Sequence, residues 1–180
     1  MRCFGDGNAL YERYHDEEWG VPVRDERGLF ERISLEAFQS GLAWITILRK
    51  REGFRRAFAG FVPEAVADFG PEDVERLMAD AEIVRNRAKI EATLASARAT
   101  LALRESGTPL HELVWSFAPP PRPARATRWE EIPALTDEST ALARALKSAG
   151  FRFVGPTTAY AAMQACGLVD DHLAGCIRVR

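Results

Sequence analysis

The chain reads as all-α, one helical bundle in a single domain over residues 1–180, and three features of the sequence say so. Apolar side chains recur at three- and four-residue steps, the spacing that lines one face of an α-helix. Proline and glycine punctuate these runs at helix-length intervals, and no segment shows the two-residue alternation of a strand. With 180 residues, 47% of them hydrophobic and 28% charged, the chain is long enough to bury a core of its own.

The helices follow in order. After Asp25, a residue type that caps helix N-termini, Leu29, Phe30, Ile33, Ala37 and Phe38 mark an amphipathic helix that Gly41 closes. Trp44, Ile45, Leu48, Phe54 and Phe58 mark a second, with Arg49, Lys50, Arg51, Arg55 and Arg56 between them. Pro63 and Gly70-Pro71 announce short helices, because proline suits a first helical position. Residues 84–105, rich in Ala, Leu, Arg and Glu, form the longest predicted helix, ended by Gly107 and Pro109. Residues 118–128, APPPRPARATR, carry four prolines and three arginines and predict an extended surface loop. Helical spacing resumes over 138–149 and again after Gly155-Pro156, where Ala159, Ala162, Met163 and Cys166 predict a closely packed inner helix.

Composition narrows the function. A formal charge of −2 excludes a protein that coats nucleic acid by bulk attraction, so any such contact is local. Three cysteines, Cys3, Cys166 and Cys176, are too few for a disulfide framework and point to a reducing cytoplasm. No apolar stretch approaches bilayer-spanning length and the first residues lack a signal-peptide core, which predicts an unexported protein with no membrane partner.

Each end of the chain carries a ligand-type pair, Cys3 with His15 and His172 with Cys176. Residues i and i+4 on a helix or tight turn face one way, so the second pair can reach one ion, and the four together complete a tetrahedral thiolate–imidazole shell. Such a closed shell suits a structural Zn2+ that clasps the termini, with no open position for water or substrate. The plainer reading makes Cys3 a terminal thiol, Cys176 a packed small hydrophobe and both histidines ordinary residues. Cys166, in an apolar run, and His111, without a partner, take no ligand role.

Glu36, Gly41 and Trp44 lie within EAFQSGLAW, a carboxylate, a helix break and an indole in close succession. A nucleobase pocket needs a flat apolar surface and an acceptor for an exocyclic amino group, which Trp44 and Glu36 supply. Tyr14, beside His15, adds a ring and a hydroxyl, with Trp19 shortly after. The alternative places Glu36 on a solvated helix face and Trp44, Trp19 and Tyr14 in the core. Trp115 and Trp129 are assigned to packing.

Taken in order, CFG, YHDEEWGVP, LEAFQSGLAWITILRKRE, FRRAF, RNRAKI, LVWSF, GFRFVGPTTAYAAMQACGLVDDH and the final Cys176 resemble the 3-methyladenine DNA glycosylase I family nearly end to end. The resemblance implies a divergent helix-hairpin-helix glycosylase, monomeric and monofunctional, that hydrolyses the N-glycosidic bond of 3-methyladenine in alkylated double-stranded DNA and releases the free base. It implies zinc on Cys3, His15, His172 and Cys176, base recognition by Glu36 as the catalytic carboxylate, and Trp44 and Tyr14 as its partners in the pocket. Gly41 and Leu42 match the segment that enters DNA near the lesion. The hairpin falls at about residues 77–100, with Arg85, Arg87 and Lys89 placed to meet phosphates.

Three positions depart from the family pattern. Phe4-Gly5-Asp6 stands where a second tryptophan is usual, Glu82 where the hairpin commonly has glycine, and Asp170 where asparagine is frequent. The first two motivate an alternative, a non-catalytic binder of alkylated DNA with the same fold. A zinc-clasped interaction module without nucleic-acid function is a third reading.

Overall fold

The structure, a computed structural model, describes residues 1–178. Nine α-helices are found among them: α1 (Ala9–Glu17), α2 (Glu26–Gln39), α3 (Trp44–Ala57), α4 (Pro63–Ala67), α5 (Pro71–Ala79), α6 (Arg87–Glu105), α7 (Leu110–Trp115), α8 (Asp137–Ala149) and α9 (Pro156–Ala165). Two single 3-10 turns, Ala59–Phe61 and Trp129–Glu131, complete the described helical structure, and no strand occurs among these residues.

Local chemistry starts and stops the helices. The side chains of Asp25, Asn86 and Thr136 accept from the backbone N–H groups of Gly28, Lys89 and Ser139, satisfying donors that the first turn leaves open. Pro63, Pro71 and Pro156 each occupy a first turn, as the proline positions predicted. The predicted helix over 84–105 begins three residues later, at Arg87. Asp80 accepts from the N–H of Glu82 (2.8 Å), and Asn86 donates back to Val84 before capping α6, so residues 80–86 form a turn.

Helix α2 is the central element, packed by α3, α6, α7 and α9. Leu29, Phe30, Leu35 and Phe38 on it are fully buried, so apolar contact surrounds most of its circumference. Phe38, as fully buried as Phe54 and Phe58, meets Phe54 in a tilted pair at a ring separation of 4.6 Å, and Phe58 stacks on Phe61 at 5.6 Å. A second, smaller core joins the two ends of the chain through Cys3, Tyr14, Trp19, Leu48, Leu173 and Cys176.

Helix α1 was not anticipated by hydrophobic spacing. It is nine residues long and its buried members are Tyr14 and His15, an aromatic hydroxyl and an imidazole, so no apolar stripe betrays it. The His172–Cys176 pair lies in a turn and not on a helix, closed by the Cys176 N–H on the Leu173 carbonyl (2.9 Å). The 118–128 loop is extended, yet Arg122 and Arg125 turn inward to the protein.

Candidate functional site

Residues 40–43 separate α2 from α3, and a cavity of about 290 Å3 lies beside this break. Glu36 reaches it from the last turn of α2, Trp44 from the first residue of α3, and Tyr14 from α1. The rings of Tyr14 and Trp44 stand 5.3 Å apart at 45°, in contact with each other as adjoining walls of the cavity. Phe4, Tyr11, Trp19 and Trp129 line the remaining wall, with Phe4 5.1 Å from Trp19 and 6.1 Å from Trp129.

The cavity's carboxyl is unusual. Burial among these rings pushes Glu36 up to about 8, only partly opposed by the Arg32 guanidinium. Burial and the neighbouring Glu36 also hold the Tyr14 and Tyr11 hydroxyls above their ordinary range. The indole Nε1 of Trp44 is buried with no hydrogen-bond partner.

The turn between α2 and α3 carries Gly41 at φ +81°, a conformation that glycine adopts without strain, and an exposed Leu42. Gln39 donates to the Leu42 carbonyl at 2.7 Å and lines the cavity, so this turn stands beside its mouth. Arg85 is exposed in the turn before α6; Arg87 is exposed and paired with Glu75 at 2.8 Å. Lys89 corrects the expectation of a phosphate contact. It is buried, and its ammonium donates to the carbonyls of Phe38 (2.8 Å) and Ser40 (2.6 Å), capping the end of α2.

Trp129 corrects a second expectation, since it lines the cavity and its Nε1 donates to the Cys3 carbonyl at 2.7 Å. Nothing in its local sequence signals this, because the long loop that delivers it has no period. Tyr11 had a signal, lying one helical turn before Tyr14. Trp115 does pack, donating to the Val23 carbonyl beneath the Arg24 guanidinium.

At the chain ends, ligand-type atoms of Cys3, His15 and Cys176 lie within 4.8 Å of one another, all three residues buried. His172 stands beside them, its ring 5.2 Å from that of His15, and its Nε2 is buried without a partner. Each imidazole is held through Nδ1 by a carboxylate, His15 by Asp16 (2.8 Å) and His172 by Asp170 (2.9 Å). Arg2 grips Asp16 and Arg125 grips Asp170. Backbone N–H groups of Leu173 and Arg178 point at the sulfurs of Cys3 and Cys176. Gly20, at φ +76°, has no room for a side chain: a Cβ there would stand 2.8 Å from the His172 ring.

An all-helical frame that opens a slot of aromatic faces onto one buried acid defines a class, proteins built to hold a flat heterocycle away from water. The methyladenine glycosylase family model matches residues 4–179, and the chain belongs to this family. It is 52% identical over 170 residues to DNA-3-methyladenine glycosylase 1 of Escherichia coli (strain K12), covering 94% of this chain and 91% of that one. It superposes on a crystal structure of 3-methyladenine DNA glycosylase I with a TM-score of 0.96 at 48% identity over 100% of both chains. A second such enzyme, a variant crystallised in complex with 3-methyladenine, matches at a TM-score of 0.92 and 35% identity, over 97% of this chain and 95% of that one.

Proposed function

We propose that the protein hydrolyses the N-glycosidic bond of 3-methyladenine in alkylated double-stranded DNA, as a monofunctional, monomeric base-excision repair enzyme of the cytoplasm. The observation that carries this reading is Glu36, a buried carboxyl at the edge of the Tyr14–Trp44 slot. Relatives of this name at 52% and 44% identity support the substrate.

Methylation at N3 makes the purine cationic and its glycosidic bond weak. Once the nucleotide is flipped out, the cavity stacks the base on Trp44, with Tyr14 as a further wall of the pocket. Glu36, protonated below about pH 8 in the free protein, ionises as the cation arrives, and its carboxylate accepts from the exocyclic amino group. Water bonds to C1′, the C1′–N9 bond breaks with its electron pair returning to the base, and a proton passes to solvent. The base leaves neutral, so its attraction to Glu36 falls on product formation.

Gly41 and Leu42 fill the gap left in the duplex, while α5, the 80–86 turn and α6 serve as the helix-hairpin-helix that meets the phosphate backbone, with Arg85 its charged contact. Arg56 pairs with Glu82 at 2.6 Å, which offsets the acidic side chain in that turn. Phe4 supplies an aromatic wall where the family has tryptophan. Both features that favoured a non-catalytic binder thereby lose force.

Cys3, His15, His172 and Cys176 would hold a structural zinc ion. Burial and the adjacent Cys176 push the Cys3 thiol up to about 12, so a Cys3 thiolate here requires a cation. The orphaned His172 Nε2 and the carboxylate on each Nδ1 fit that donor set.

Incubation with methylated duplex DNA, read as free base by chromatography, tests the assignment. Wild type should release 3-methyladenine and Glu36→Gln should lose at least tenfold of that rate, roughly the worth of one charge-assisted hydrogen bond. Release no greater than in a protein-free control would overturn it.

A further inference from the structure

Across the cavity from the α2–α3 break, α9 presents Gln164, which lines the same slot as Glu36. A primary amide shows either a donor or an acceptor, depending on how it is turned. Here the choice is made by Asp171, whose Oδ2 accepts from Gln164 Nε2 at 2.8 Å. A carboxylate only accepts, so the amide nitrogen is held inward. The amide oxygen, Oε1, takes no hydrogen bond from any described residue and is not sealed off from space around it.

Asp171 is itself locked. Its side chain is fully buried, Tyr160 donates to Oδ2 at 2.6 Å, and Arg122 from the proline–arginine loop stands 3.2 Å from Oδ1. Arg122 also donates to the Tyr160 hydroxyl at 2.8 Å. Below the amide, the Gln164 carbonyl accepts from Gly20 N–H at 3.1 Å, which fixes the backbone. Three separate segments thus converge on the orientation of one amide whose oxygen has no partner among the described residues.

We propose that Gln164 is a specificity-determining residue: its Oε1, aimed by Asp171, accepts a hydrogen bond from the exocyclic amino group of the bound base and so selects amino-purines over oxo-purines. This rests on the base seating in the cavity as described above. An amino group has two hydrogens, and Glu36 and Gln164 offer it two acceptors. An oxo group at the same position brings its lone pairs against Gln164 Oε1, which cannot donate whatever proton Glu36 holds, and an acceptor placed for an N–H rejects such an analogue. Arg122, Tyr160 and Asp171 are positioning residues that act through the amide.

The test compares affinities of the full chain for free 3-methyladenine and free 3-methylhypoxanthine by calorimetry, in wild type, Gln164→Met, Asp171→Asn and Glu36→Gln, each checked for folding by circular dichroism. Gln164→Met should reduce the preference for the amino base about tenfold, one hydrogen bond's worth, and Asp171→Asn, which frees the amide to turn, by a smaller factor. A preference unchanged in both variants overturns the inference, even if overall affinity falls, because that is what a merely structural role gives. If Gln164→Met fails to fold, Asp171→Asn decides alone. A Glu36→Gln protein that binds 3-methyladenine as wild type does would remove the pocket reading and this inference together; a loss there with the Gln164 preference intact removes only this inference.

Discussion

The ammonium of Lys89 sits 2.6 Å from the Ser40 carbonyl, so α6 holds the end of α2 in place just where the chain turns toward Gly41, Leu42 and Trp44. That contact joins α6 to the turn beside the cavity. It also engages the ammonium that the family resemblance placed near phosphate.

Lys89→Met should therefore lower stability by about 1–3 kcal/mol, since it strands two carbonyls, one of them buried. The slope of DNA affinity against salt concentration should stay as in wild type. Denaturant unfolding and a salt titration check the two halves. A reduced slope would show that Lys89 reaches phosphate after all.

Arg85 and Arg87 should separate in the same titration. Arg85→Ala should reduce the log–log salt slope by about 1, the signature of one phosphate contact. Arg87→Ala should change it less, because Glu75 already neutralises that side chain.

Glu36 gives a stability prediction with a defined sign. Its folded carboxyl titrates near 8, above the ordinary 4.5, so the folded state binds a proton that the unfolded chain releases. The protein should be most stable, for this group, below pH 4.5 and lose that contribution as pH rises to about 8. Glu36→Gln should abolish the loss, raising stability relative to wild type at pH 9 by roughly 2–4 kcal/mol once partial solvent access is allowed for. Thermal melts at pH 5 and pH 9 measure it, and an equal offset at both would refute the buried-acid assignment.

Zinc should be found by elemental analysis at about one ion per chain. Chelation, or Cys176→Ser, should lower the melting temperature and weaken free-base binding together, because Cys3 is tied to Trp129 and His15 adjoins Tyr14. Weak base binding with unchanged melting would argue against a structural clasp.

Much of this protein is local and hence readable along the chain. Asp25, Pro63, Pro71 and Pro156 mark helix starts because capping and φ restriction act within a turn or so of the residue concerned. The EAFQSGLAW segment likewise places an acid, a break and an indole close together before any folding is considered. What sequence could not reveal depends on groups far apart in the chain. Lys89 meets Ser40, Trp129 meets Cys3, and Arg122 reaches Asp171 only after the helices pack. The same holds for the proton on Glu36: its residue type comes from the sequence, but burial among aromatic rings from distant segments decides its charge, because desolvation is a property of the assembled cavity.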